Sequence, residues 1–490
     1  PFKSVDAMAN IKLASGCNFL GYYVFQGGSN PRGKHGTFMN ESQTPKISYD
    51  YQAVLGEYGQ IRKSYQRLKA LHYFTHTFCK SFCQMQTVLP EGASFIEPDD
   101  LDTLRYAVRT DGRSGFLFLN NFQDHAETKW KRNESVTLHM KNEDIIFSDI
   151  SLAPDENCIL PFHMDVAGIG LISATAQPVT VLHRDVPVFV FLKPDGMDSV
   201  FYFEENAITN QGGNIYRCTP QKEAEVFHVR KQAVSDSPPE TAKNMCMETV
   251  CEENICLGNI CKENIRLGNI CEENIYVEIL CLDRTLADQM YVLSDETLIF
   301  TEDAVMEDAD NLRLETTSAS PRILTYPRGA CTLPWANSDD SRNAATLPRT
   351  DDADRDVFDV WSVNIEEKKI PLIVKQTASS KYEISFYDNF MEGLKDALLQ
   401  IDYRGDIGHA FIDGDMVSDN FSNNNTWEIG LRTFAGRLGD TPLTLSISPL
   451  RKGANVNVES AMAARAERVE ESIAELISVT VRPVYEVKLR

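Results

Sequence analysis

The sequence predicts a multidomain protein in which an α/β unit is followed by all-β domains. Within residues 1–87, a helical pattern, an apolar run and a second helical pattern follow one another. Short apolar and aromatic runs separated by turn residues fill residues 88–234 and 358–490, which is typical of antiparallel sheets. Residues 235–357 differ from both because they contain a short repeat and polar, turn-rich stretches, so we interpret them as an insert with linkers.

Length and charge limit the possible functions. The chain has 490 residues, of which 42% are hydrophobic, so it can form about three domains that each bury a core. A net charge of −23 argues against a nucleic-acid partner, which would need a basic surface. No apolar run is long enough to span a bilayer. If the chain is a fragment, the lack of a signal-like segment does not identify its compartment, and neither do its twelve cysteines.

The first unit contains a glycine pair between two predicted elements. Near-helical spacing of apolar residues predicts a short helix over residues 2–15, and an apolar run bounded by glycines predicts a fully buried strand over residues 18–26. Gly27 and Gly28 follow this strand and would let the chain turn sharply and a ligand approach closely. Apolar residues along one side predict a second helix over residues 57–86.

Tyrosines surround this glycine pair, and their chemistry suits a sugar. A tyrosine ring offers a flat apolar face and a hydroxyl group, which together match a sugar ring. In (β/α)₈ barrels the active site lies in the loops that follow the strands. The stretch therefore predicts a saccharide site.

Two motifs in this region resemble glycoside hydrolase family 35 β-galactosidases. Residues 22–31 resemble the strand-eight segment of that family's barrel, and residues 48–59 resemble the loop that enters its last barrel helix. Residues 160–165 resemble a β-domain segment of bacterial members, and segments within residues 402–432 resemble their C-terminal domain. The resemblance covers most of the chain outside the insert. It implies that residues 1–87 are a barrel remnant (helix 7, strand 8, helix 8) and that residues 358–490 form a galactose-binding-like jelly roll.

The resemblance also implies a reaction. Family members hydrolyse terminal β-galactosides of oligosaccharides or polysaccharides with retention, which requires two carboxyl groups about 5 Å apart. The two glutamates would end the fourth and seventh barrel strands and so lie before residue 1. We therefore expect no catalytic residue in this chain and no activity from it alone. The family implies a secreted or periplasmic protein, and we expect no cofactor. The alternative is a non-catalytic carbohydrate-binding or scaffold protein derived from such an enzyme.

Individual site residues follow from the two motifs. Tyr23 matches the family tyrosine beside the nucleophile, where its hydroxyl would orient that carboxylate; the alternative is a core tyrosine. Tyr51 matches the loop tyrosine that contacts galactose, and a loop aromatic has little core to fill. Asp50 and Glu57 are supporting candidates, although a glutamate at a helix start more often interacts with the helix dipole. The supporting set also contains Gly27, Gly28 and Asn30.

The all-β region carries clear hairpin signals. Residues 106–110 and 115–120 flank an Asp-Gly turn and predict a β-hairpin. A further strand is expected to begin at Val188 or to lie on an edge, because Pro187 has no N–H to donate. A sandwich and a barrel both remain possible for this domain.

A five-residue unit with a recurring Asn-Ile pair repeats over residues 251–280. A tandem expansion within a surface loop is favoured, because a β-solenoid needs more stacked units than about thirty residues provide. A thiol metal site is disfavoured because the cysteine spacing is not that of zinc ligands.

Other patterns are weaker. His72 and His76 are spaced like a metal pair but lack a third ligand, and Cys79 and Cys83 share that spacing and are expected to pack. Trp427 with neighbouring aspartates suggests a sugar or calcium site, although aspartates in turns explain the same residues.

Overall fold

The computed structural model describes residues 2–34, 47–231, 276–308, 311–329, 345–346, 357–422, 425–454 and 469–489. Strands far outnumber helices in these ranges. The α-helices are α1 (Ser4–Ala14), α2 (Lys63–Phe82), α3 (Arg284–Gln289) and α4 (Ala435–Leu438). The strands up to residue 231 are β1 (Gln86–Val88), β2 (Arg105–Thr110), β3 (Gly115–Asn120), β4 (Lys131–His139), β5 (Asp144–Leu152), β6 (Asn157–Val166), β7 (Ile169–Ala174), β8 (Gln177–Leu182), β9 (Val188–Leu192), β10 (Val200–Phe203), β11 (Ala207–Thr209), β12 (Ile215–Arg217) and β13 (Ala224–Lys231).

Eighteen further strands follow, and the described strands form five sheets of five or more strands and two smaller ones. These later strands are β14 (Tyr276–Leu282), β15 (Met290–Val292), β16 (Leu298–Phe300), β17 (Ala304–Asp308), β18 (Asn311–Thr316), β19 (Arg322–Tyr326), β20 (Ala345–Thr346), β21 (Asp359–Val363), β22 (Leu372–Ala378), β23 (Lys381–Phe386), β24 (Asp396–Arg404), β25 (Ile407–Ile412), β26 (Asp415–Phe421), β27 (Trp427–Gly430), β28 (Leu443–Ile447), β29 (Leu450–Arg451), β30 (Ser472–Ile473) and β31 (Glu475–Lys488).

The N-terminal unit contains both predicted helices, but the strand predicted between them is wrong. Residues 18–26 make only an isolated bridge from Gln26 to Leu55. A strand needs a neighbour to complete its hydrogen-bond ladder, and no parallel strand lies beside this segment in the described residues. The expected full burial is also wrong, because the side chains of Phe19 and Tyr23 are 87% and 98% exposed.

The two N-terminal helices pack on a β-sheet. Leu13 of α1 and Phe74 of α2 share a core with Phe116 and Ile159, which belong to a seven-stranded sheet in the order β1-β2-β3-β6-β7-β10-β12. Phe74 meets Phe116 edge to face at 5.0 Å between ring centroids, a favoured geometry for aromatic pairs. The helices are therefore anchored by apolar burial against the sheet.

A five-stranded sheet in the order β11-β13-β14-β9-β8 lies against the seven-stranded one. The two share one core, in which Phe201 of the larger sheet contacts Phe227 of the smaller. Of the two architectures that the sequence left open, a sandwich is found. The predicted hairpin is confirmed as β2 paired with β3, and the strand after Pro187 begins at Val188.

The predicted boundary at residue 234 is wrong, because the second sheet crosses it. β14 lies between β13 and β9, antiparallel to the first and parallel to the second. Residues 276–329 then supply strands to further sheets, so this part of the predicted insert 235–357 belongs to the folded β-sheet domains. The segment 251–275 of the predicted repeat lies outside the described residues, whereas its last part is strand β14.

The C-terminal part is also a sandwich. Two five-stranded sheets, β17-β18-β31-β24-β27 and β22-β23-β28-β25-β26, share a core that includes Leu399, Ile412 and Leu445. β17 and β18 precede residue 358, so the predicted start of this domain falls too late. The sheet β15-β16-β19-β21-β20 packs between the sandwiches. Within the described ranges, no helix combines the length and apolar composition needed to cross a membrane.

A buried ion network joins the helices to the sheets. Arg67 of α2 donates to Asp6 of α1 at 3.0 Å and to Glu156, just before β6, at 3.1 Å. Arg284 of α3 donates to the same Glu156 oxygen at 2.5 Å. Glu156 is fully buried. Burial alone would raise its pKa, but Arg284 and Arg67 outweigh that effect and hold the pKa below its ordinary value.

We predict that Glu156→Gln lowers the free energy of unfolding by about 3–5 kcal/mol, because it leaves two buried guanidinium groups without their shared anion. Urea denaturation followed by circular dichroism would measure this. The matched control is Glu475→Gln, which breaks an exposed 2.9 Å pair with Arg404 and should cost under about 1 kcal/mol. Equal losses in the two variants would contradict the prediction.

Candidate functional site

The candidate site is a loop that carries Tyr51, which we call the tyrosine loop and define as residues 47–62. Its first part pairs with residues 26–30 through the bonds from Tyr49 N to Gly28 O (2.8 Å) and from Asn30 N to Ile47 O (2.7 Å). Tyr51 and Gln52 both have positive φ, at 49° and 59°. The loop therefore bends sharply at Tyr51 and holds its side chain outward, 59% exposed.

Gly27 and Gly28 do not leave space for a ligand, which corrects the expectation from the sequence. A Cβ on Gly27 would lie 2.7 Å from the Asp50 Cα, and one on Gly28 would overlap the Tyr49 ring. Both glycines are needed because the tyrosine loop packs directly on their backbone. Their role is to leave room for Tyr49 and Asp50 of the tyrosine loop.

Asp50 and Glu57 are engaged in contacts within the loop. The Glu57 carboxylate accepts hydrogen bonds from the hydroxyls of Ser29 and Ser48, the latter at 2.8 Å. Asp50 accepts from the Glu57 backbone N–H at 2.7 Å and pairs with Arg62 at 2.8 Å. The helix-dipole interpretation of Glu57 is wrong, because α2 begins only at Lys63. Burial raises the pKa of Glu57, and the two serine hydroxyls partly offset this effect.

The C-terminal sandwich holds the tyrosine loop in place. Asp419 of β26 is buried and accepts from the backbone N–H groups of Ile47 and Ser48 at 2.9 and 3.1 Å. The Tyr58 ring lies against Gly430, where a Cβ would approach it to 2.5 Å. Sequence reasoning missed both contacts, because no local pattern links residues that are more than 370 positions apart.

The two predicted tyrosines both face solvent. Tyr23 is almost fully exposed, so the alternative of a core tyrosine is wrong. Tyr51 is also exposed, and neither residue enters a hydrophobic core in the described structure. Asn30, the remaining predicted residue, joins the tyrosine loop through its backbone.

A polar cleft of about 450 Å³ lies between the tyrosine loop, the first turn of α2 and the sheet that contains β24 and β31. Acidic, basic and amide side chains line it together, and Tyr23 and Tyr51 are not among them. The lining includes Gln60, Arg62, Asp303, Glu315, Glu428 and Arg482. No local sequence pattern indicates this cleft, because six separate stretches of the chain contribute to it.

The weaker sequence candidates form no site. Among the described residues, no group of three His, Cys, Asp or Glu side chains is placed to hold a metal ion. His72 contacts the Tyr22 hydroxyl at 3.0 Å, and burial lowers its pKa. Cys79 and Cys83 are exposed, so the expectation that they pack is wrong. Trp427 is buried against Tyr403 and is not available to a sugar.

Comparison with known proteins assigns no family. No protein-family model matches the chain, and no curated protein matches it. Among solved structures, the chain is weakly similar to the crystal structure of the GH31 alpha-xylosidase from Xanthomonas citri, with 10% sequence identity and a TM-score of 0.11. The similarity covers 83% of this chain and 38% of the xylosidase chain. At this level it carries no argument about fold or function.

We predict that Asp419→Ala loosens the tyrosine loop, because two N–H groups lose a buried acceptor, at a cost of about 1–3 kcal/mol each. Hydrogen exchange at Ile47 and Ser48 should accelerate by at least tenfold. Asp415→Ala on the same strand is the matched control, since Asp415 makes an exposed pair with Arg32 and should change exchange little. Unchanged exchange at both amides in Asp419→Ala would count against this attachment.

The raised pKa of Glu57 predicts a pH-dependent loop. Because the folded pKa exceeds the ordinary value of 4.5, protonation favours the folded loop. The stabilisation that protonated Glu57 gives the folded loop is complete below about pH 4.5 and is lost as the pH rises through the folded pKa of Glu57. Protection of the loop amides from exchange should therefore fall over that window. Glu57→Gln, which stays neutral, should remove this dependence, and a retained dependence would assign it to another group.

Proposed function

We propose that this chain is the substrate-contacting part of a β-galactosidase-type glycoside hydrolase, with Tyr51 as the side chain that stacks on the galactose ring. The observation that carries the proposal is the exposure of Tyr51 on a bent, firmly attached loop. An exposed aromatic ring held by its backbone loses little entropy on binding and offers an apolar face to a sugar. The catalytic glutamates would come from a segment outside this chain.

The proposal extends to the fold of the two ends. Residues 1–87 would correspond to the last two helices of a (β/α)₈ barrel without its eighth strand, supported by α1, α2 and the two motifs between them. Residues 358–490, with β17 and β18, would be a galactose-binding-like jelly roll, supported by the two sheets that share one core. Tyr23 would then orient a carboxylate of the barrel through its exposed hydroxyl.

A second candidate is a non-catalytic carbohydrate-binding protein. It is compatible with the engagement of Asp50 and Glu57, whose carboxylates are held by Arg62 and by serine hydroxyls and so leave no free carboxylate pair in the tyrosine loop. General acid catalysis needs a carboxyl group within reach of the glycosidic oxygen. Both candidates share the same sugar contact at Tyr51.

The sugar contact can be tested by NMR titration of the chain with methyl β-galactoside and with lactose. We expect saturable shifts for the aromatic resonances of Tyr51 and at least a tenfold weaker affinity in Tyr51→Ala, because stacking on the ring is lost. Tyr387→Ala is the matched control, since Tyr387 is similarly exposed, at 55%, but lies outside the tyrosine loop. Equal binding by Tyr51→Ala and the unaltered chain would refute the assignment.

A chromogenic β-galactoside assay separates the two candidates. The chain alone should show no turnover under either. Adding the missing barrel segment should restore hydrolysis if the chain is part of an enzyme, and binding without hydrolysis in the extended protein would favour the binding protein.

A further inference from the structure

Two buried cysteines meet in the first sandwich. Cys218 follows β12 of the seven-stranded sheet, and Cys281 lies in β14 at the centre of the facing sheet. Both belong to the core that the two sheets share, and they are 7% and 0% exposed. Their side chains are in hydrogen-bond contact, and both are free thiols in the structure. The pair therefore spans the two layers of the sandwich.

Hydrogen bonds around the pair are further evidence that Cys218 lies opposite Cys281. Glu225 lies on β13, the strand next to β14, directly beside Cys281 in the strand register. Its carboxylate accepts from the Tyr216 hydroxyl at 2.9 Å and from the Thr219 backbone N–H at 2.8 Å, which are two residues before and one after Cys218. Cys218 is thus held on the other sheet opposite Cys281. The backbone bond from Cys218 N to Ser199 O, 2.9 Å, fixes it from its own side.

The environment disfavours the thiolate of Cys281 once the protein is folded. Burial raises the pKa of Cys281, and contact with the Cys218 thiol raises it further. Thiolate is the reactive form in disulfide exchange. Oxidation of the folded, reduced protein should therefore be slow, whereas the thiols of the unfolded chain react normally. A bond made during folding would be shielded from reductants afterwards.

We propose that Cys218 and Cys281 form a structural disulfide that links the two sheets when the protein folds under oxidising conditions. A thiolate of the pair attacks a low-molecular-weight disulfide such as oxidised glutathione and releases one glutathione thiolate. The second protein thiolate then attacks the mixed disulfide, forms the Cys218–Cys281 bond and releases a second glutathione. Two protons leave the protein thiols and end on the two glutathiones. The bond closes a loop that contains residues 232–275.

The test is to refold the full chain in a buffer of reduced and oxidised glutathione, to block free thiols, and to map peptides without reduction. We expect a linked peptide pair containing Cys218 and Cys281, lighter by two hydrogen atoms than the two reduced peptides. The oxidised protein should unfold at a higher urea concentration than the reduced one, because the closed loop restricts the unfolded chain. Adding oxidised glutathione to the folded, reduced protein should give the same link much more slowly.

Three single variants provide the controls. Cys218→Ala and Cys281→Ala should each abolish the linked pair and remove the stability difference between oxidised and reduced protein. Cys158→Ala should keep both, because Cys158 is equally buried but lies in a different core cluster. The proposal is overturned if refolding leaves Cys218 and Cys281 free or joins them to other cysteines, and this result needs no variant to fold.

Discussion

The arrangement of the N-terminal helices on the sheets depends on the charge of one buried side chain, Glu156. A carboxylate with no exposed surface is unfavourable in a protein interior unless it is paired and hydrogen-bonded. Here Arg67 and Arg284 share one of its oxygens, and Asp6 forms a second ion pair with Arg67. The four residues come from three helices and the start of a strand. These ion pairs form only in this relative placement of the elements, and a placement that left one buried charge unpaired would be strongly destabilised.

The conformation of the tyrosine loop depends on contacts with the C-terminal sandwich, which is distant in the chain. Asp419 belongs to the C-terminal sandwich, yet it satisfies two backbone N–H groups at the start of the loop. Tyr58 adds an aromatic contact over Gly430, where any side chain would push it away. The geometry at Tyr51 is thus a property of the two regions together. Any contact that Tyr51 makes is as rigid as the junction between the two regions.

Local patterns in the sequence predicted α1, α2 and the β2–β3 hairpin, because periodicity and turn chemistry act over a few residues. The same reasoning failed for residues 18–26, since an apolar run becomes a strand only when a neighbouring strand completes its ladder. It also placed a boundary at residue 234 because composition changes there, although β14 returns to the same sheet. At the site, the exposure of Tyr51 was predictable. The contacts of Asp419 and Glu156 were not, because they join residues far apart in the chain.

The position of β14 constrains how this protein can fold while it is being synthesised on the ribosome. β9 and β13 flank β14 on either side, so their facing edges have no partner until residue 282 has been synthesised. For that interval the nascent chain carries two open strand edges, which are templates for pairing with other polypeptides. The time needed to translate residues 232–275 is therefore a period of vulnerability to aggregation, and a chaperone that shields strand edges would act most effectively within it.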